Sequence, residues 1–242
     1  MYRSIVVAAA AIASLACVAG RSVAQSDGAA AGYVALTLTP TGGLTPVVRP
    51  WMAGIPQSGI GIDARWGSFK AGDTHMNSLV AGISVPLASG RGDLTVSGGY
   101  LTMDCEDCSG EFVASLAAER GLSRKELDAG GAQFGLGING SLGFGTPDGA
   151  TLLSATVGAP IYFAAGKAGK VQVVPFLTPA LGWGLVSPDQ GDSESGMRFT
   201  AGGGVGIVNV APGLNLHLGA QKTFIQGGKT VFGAGLTYMI PR

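Results

Sequence analysis

Apolar side chains recur at every second position along most of this chain. Ile60, Ile62, Ala64 and Trp66 hold one parity while Asp63 and Arg65 hold the other, which is the pattern of a strand with one apolar and one polar face. The alternation returns at Val34, Leu36 and Leu38; from Leu79 to Leu87; from Leu94 to Tyr100; at Phe134, Leu136, Ile138, Leu142 and Phe144; and from Leu153 to Phe163. It continues from Val171 to Leu185, Phe199 to Ile207, Leu214 to Ala220 and Phe232 to Ile240. Residues 88–93, 145–149, 165–169, 211–213 and 226–229 are short and rich in Gly, Pro or Asp, as tight hairpin turns require. Pro175 and Pro179 each remove a ladder donor, so a bulge or a break in pairing is expected there.

The parity opposite the apolar one is polar or glycine: Arg198, Thr200, Asn215, His217, Gln221, Gly233, Gly235 and Thr237 fall on it. Composition sharpens that reading. Only 12% of the 242 residues are charged and 42 are glycine, against roughly 25% charged residues in an average soluble domain. Beyond residue 20 no apolar run approaches the ~18–20 residues of a membrane-spanning helix. A closed barrel reconciles the two facts, because each strand pairs on both edges and leaves no backbone group unbonded in lipid. The expected fold class is therefore all-β: a closed antiparallel transmembrane β-barrel over residues 32–242, with about ten strands and a range of roughly 8 to 12. Net charge is zero and the Lys and Arg residues are scattered, so nucleic acid is not an expected partner.

Ahead of the barrel, Arg3, the apolar stretch from Ile5 to Ala19 and the small residues Ser22, Val23 and Ala24 form a signal peptide over residues 1–24, cleaved before Gln25. Residues 25–31 are a small, polar leader. Leu15, Ala16 and Cys17 offer a rival lipoprotein reading that would make the chain peripheral.

Residues 104–130 read as an insertion of two short helices. Ser123 and Glu126 have capping-box spacing, flanked by Leu122 and Leu127, and Phe112, Leu116 and Ala117 share one helical face before Gly121. Counting strands back from the C-terminus puts this insertion on the periplasmic side. Leu116 to Leu127 has the outline of the first half of a helix-turn-helix, but Gly130 and Gly131 lead into a strand where a recognition helix is needed. Cys105 and Cys108 read as a short loop disulfide in an oxidising envelope. Redox and zinc roles would need a thioredoxin-like setting or further ligands. Asp104, Glu106, Asp107 and Glu111 make an acidic loop without EF-hand spacing, with calcium binding as the alternative.

Asp63, Arg65, Arg198, Asn215, His217 and Gln221 are the lumen-facing polar candidates, suited either to ion pairs that plug the barrel or to a lightly charged constriction. His217 is the best placed for chemistry, yet no nucleophile or paired carboxylate stands at a telling spacing, so no catalytic residue is assigned. No metal site and no cofactor are expected either. Gly135, Gly137 and Gly140 spell a dinucleotide fingerprint but sit within strand alternation with no following helix. Arg91, Gly92 and Asp93 spell an adhesion tripeptide that a glycine-rich turn produces readily.

With its final strand carrying Gly233, Gly235, Leu236, Tyr238 and Ile240, the chain resembles the superfamily of small bacterial outer-membrane β-barrels, including the membrane domain of outer-membrane protein A and the outer-membrane protein W type. The resemblance implies outer-membrane lipid and the barrel-assembly machinery as partners. It also implies a porin-like cell-envelope role, either a structural element or a narrow passive pore for small solutes. A surface or ligand-binding barrel using the helical insertion and acidic loops is the alternative, and an enzyme acting on envelope lipid a more distant one.

Overall fold

The computed structural model describes residues 48–55, 59–71, 74–103, 111–127, 132–146, 150–166, 170–224 and 230–240. The signal peptide, the leader, Val34 to Leu38, Cys17, Cys105 and Cys108 lie outside these residues.

Among the described residues a single 3-10 turn, η1 (Pro50–Ala53), precedes the strands β1 (Ile60–Ala71), β2 (Thr74–Pro86), β3 (Gly92–Met103), β4 (Glu111–Glu126), β5 (Gln133–Gly145), β6 (Ala150–Gly158), β7 (Ile161–Ala164), β8 (Gln172–Pro188), β9 (Glu194–Ala211), β10 (Leu214–Thr223) and β11 (Thr230–Ile240). Each strand pairs antiparallel with its neighbours, β4 pairs with β5, and β1 pairs with β11 from Ile60↔Ile240 to Ser68↔Phe232, which closes the barrel. β6 and β7 are two halves of one stave, since both lie between β5 and β8. The barrel thus has ten staves, and at 10 residues even β10 reaches the ~9–11 that a tilted strand needs to cross a bilayer.

β4 corrects the two-helix insertion expected over residues 104–130. Glu111, Val113, Ser115, Ala117 and Glu119 are buried on the lumen side, and the residues between them face outward. The capping-box spacing is a local preference that satisfies two backbone donors. Helix formation would strip the facing edges of β3 and β5 of their partners, and in lipid those edges have no water to turn to. The strand also corrects the expected side. β3 ends and β4 begins at the end of the barrel opposite Ile60 and Ile240, so the 104–110 connection leaves the end remote from the strand termini.

The prolines of β8 do not break its pairing with β9, which runs without a shift from Gln172↔Val208 to Val186↔Glu194. The interruption falls across the other edge, at Ala159 and Pro160 between β6 and β7. Pro175 and Pro179 share a parity, so both missing N–H groups point to that edge; there the Pro179 carbonyl accepts the Ala159 N–H at 3.0 Å. The lost donors are thereby collected on one seam.

The outer face is apolar around the whole circumference. Ile62, Leu79, Val96, Leu142, Val157, Leu177, Leu218 and Phe232 are each between 47% and 66% exposed, and Tyr100 meets Phe112 edge to face at 6.4 Å between ring centroids. Near the strand termini, β9 and β10 are joined by Pro212 and Gly213, the latter at φ 78°, which suits a turn with proline followed by glycine. Beside it the register shifts, Asn209 takes φ 63°, and the Asn215 side chain accepts its backbone N–H at 2.9 Å.

Candidate functional site in the barrel lumen

The interior is built in three tiers. At the end bearing the strand termini, Val48 to Ile55 folds into the lumen as a plug. Val48, Trp51, Met52 and Ala53 pack with Tyr162, Ala164, Val174, Phe176 and Val208 of the wall, and Trp51 meets Tyr162 edge to face at 5.7 Å. Glycines of the wall make the room. A Cβ at Gly206 would overlap Val48, and one at Gly121 or Gly137 would press to 3.2 Å on the Trp51 ring. At the opposite end Val80, Leu101, Val113, Leu152 and Val231 converge from five staves into an apolar cluster across the bore.

Between these tiers lies a buried ionic network centred on Arg49. Its guanidinium donates to Asp63 at 2.7 Å and to Thr95 at 2.8 Å, and its Nε stands 3.4 Å from Asp93. Thr237 donates to Asp63 at 2.5 Å, and Trp51 Nε1 donates to Asp93 at 3.3 Å. Arg65 donates to Ser97 at 2.7 Å, which in turn pairs with Ser115 at 2.6 Å. Burial works against the charge on Arg49, but Asp93, Asp63 and Glu119 more than offset it, so this guanidinium is held firmly protonated. A buried arginine is tolerable on these terms because carboxylates and hydroxyls replace its lost water.

The six polar residues expected in the lumen separate into two groups. Asp63, Arg65, Asn215 and His217 meet in the plugged half, through the registers Asp63↔Thr237↔Asn215 and Arg65↔Gly235↔His217. The His217 ring lies over Gly235, and its nitrogens have no hydrogen-bond partner among the described residues. Gln221 and Arg198 stand further along toward the opposite end, and Arg198 donates to the Met197 carbonyl of its own strand. All six are at most 5% exposed. Three residues central to the network are not among those six: Arg49, which precedes the first strand described; Asp93, in a stretch that reads as a turn; and Glu119, in one that reads as helical. The inward parity of β3 and β4 was the available signal for the last two.

An apolar exterior, a closed ring of paired strands and a packed interior that holds a buried ionic tier define a transmembrane β-barrel of the kind that bacterial outer membranes hold. No family model and no curated protein matches the chain. Among solved structures it is similar to the β domain of the Bordetella autotransporter BrkA, at 14% identity and a TM-score of 0.44, covering 76% of this chain and 100% of that one. The N-terminal β-barrel domain of Pseudomonas aeruginosa OprF gives 11% identity and a TM-score of 0.36, with coverages of 76% and 98%. The outer-membrane enzyme PagL gives 13% and 0.38, with coverages of 74% and 99%. Likenesses at this level carry nothing about activity, and none of them singles out the outer-membrane protein A or W type.

Proposed function

We propose that this chain is an outer-membrane barrel that spans the bilayer without conducting, a structural element of the envelope and not an open pore for small solutes. The observation that carries the reading is the double closure of the bore. The plug and its Arg49 network fill one half, and the apolar cluster of Val80, Leu101, Val113, Leu152 and Val231 crosses the other. An ion entering from either end would have to displace packed side chains, and the apolar tier offers it no group to replace its water. Export under the signal peptide, cleavage near Ala24 and insertion by the barrel-assembly machinery through β11 belong to the same reading, with outer-membrane lipid as the partner of the exterior.

Planar-bilayer recording on the full chain tests it, with the folded fraction established beforehand by the band shift on heating in a detergent gel. The expected result is a silent baseline from folded, inserted protein. Stable ohmic steps from such a sample would overturn the proposal and restore the pore.

A further inference from the structure

The register between β4 and β5 slips at one place, between Gly121 and Ser123. In an unbroken ladder Ser123 would stand opposite Gly135 and Arg124 opposite Phe134, on the lipid-facing parity. The bulge advances the pairing by one, so Arg124 stands opposite Gly135 instead, on the lumen parity. Re-aiming a side chain is what bulges at barrel rims do. Gly135 leaves the space above it to the Tyr162 ring, which a Cβ there would overlap. Arg124 is thus directed over Tyr162 at the mouth of the plugged end.

A second guanidinium arrives from the β2–β3 turn. The Arg91 carbonyl accepts the Gly121 N–H at 2.7 Å, fixing that turn against the bulge. Arg91, Arg124, Ser123, Gly121, Trp51 and Tyr162 together line a niche of about 10 Å³, room for about one oxygen atom or one water. Among the described residues neither Arg91 nor Arg124 has a carboxylate partner, in contrast to Arg49 deeper in the same bore. Two forked donors line the niche over an aromatic floor, and no carboxylate is among its lining residues.

We infer that this niche is an oxyanion site for a phosphate group, seated with one oxygen between Arg91 and Arg124 and its substituent directed outward. Guanidinium pairs favour phosphate because its several oxygens can take the bidentate bonds of both forks. The exposed Lys170, just ahead of β8 at the same end, does not line the niche. Two sources share this chemistry: the phosphodiester of an anionic lipid in the adjoining leaflet, and free inorganic phosphate. The inference does not depend on whether the bore conducts.

Trp51 floors the niche and serves as the reporter once Trp66 and Trp183 are replaced by Phe in the full-length barrel. Titration with inorganic phosphate, at ionic strength held constant with chloride, is expected to change Trp51 emission saturably. Arg91→Gln and Arg124→Gln should each weaken the response at least tenfold, while Lys170→Gln at the same end should leave it intact. Phosphatidylglycerol vesicles without free phosphate that reproduce the change, and reduce the response to added phosphate, identify the lipid headgroup as the source; phosphatidylcholine vesicles alone should not. A response to inorganic phosphate that phosphatidylglycerol neither reproduces nor competes with identifies the free anion, and the site stands in either case. No saturable change with either probe in heat-shift-competent barrel, or an undiminished response in both arginine variants, would overturn it.

Discussion

Replacing Arg49 with Ala probes the ionic network at its centre. The substitution removes the group that reaches Asp63 at 2.7 Å, Thr95 at 2.8 Å and Asp93 at 3.4 Å, and leaves two carboxyls of 0% exposure facing each other without a cation between them. Removing one partner of a buried pair costs about 3–5 kcal/mol, because the charge left behind stays desolvated. Arg65 is held by Ser97 and cannot swing across without abandoning it. The expected loss is therefore about 3–5 kcal/mol in urea unfolding from micelles or vesicles, followed by the heat-dependent gel shift. The triple variant Arg49→Met, Asp63→Asn, Asp93→Asn should recover most of it, since a network neutralised throughout leaves no unpaired charge behind. A loss below about 0.5 kcal/mol in the single variant, or effects of Arg49→Ala and Asp63→Asn that simply add, would refute the reasoning, because groups in contact are expected to couple.

Two further outcomes follow from the packing on either side of the wall. Gly206→Leu forces a side chain into the volume of Val48; it should cost about 1–3 kcal/mol and expose Trp51 to aqueous quencher, whereas the same change at outward Gly203 should leave Trp51 protected. Leu218, 66% exposed at the middle of β10, faces lipid in this account, so Leu218→Arg should destabilise the barrel by about 2–4 kcal/mol in vesicles. Urea titration in vesicles checks the latter, and a loss no larger than that of a surface substitution in a soluble protein would count against a lipid-facing Leu218.

How much of this was legible in the sequence depended on whether a segment obeys a period. The staves around Asp63, His217 and Tyr238 are set out by alternation, because lipid on one side and a filled bore on the other impose opposite demands on successive residues. β4 obeys the same rule, but Ser115 and Ala117 soften its contrast, and the Ser123 and Glu126 spacing resembles a helix start. What decided the matter was the need of β3 and β5 for a partner, which is a property of the closed ring and not of the segment. The ten staves include β4, while Val34 to Leu38 lie outside the described residues. Arg49 escaped notice for a different reason: Val48 to Ile55 has no period, and its place in the bore is set by the glycines that make room for it, Gly121, Gly137 and Gly206, scattered over three strands. Pro160 shows the same dependence, since the seam it interrupts is fixed by the orientation of Pro175 and Pro179 across the pair.

The central claim is that one face of every stave meets hydrocarbon while the other closes on a plug, and two tryptophans report on the two faces. Trp66 points outward at 46% exposure and Trp51 is 3% exposed inside. In single-tryptophan barrels reconstituted with lipids brominated along their acyl chains, Trp66 should be strongly quenched and Trp51 should not. Equal quenching of both, or protection of Trp66, would contradict the account.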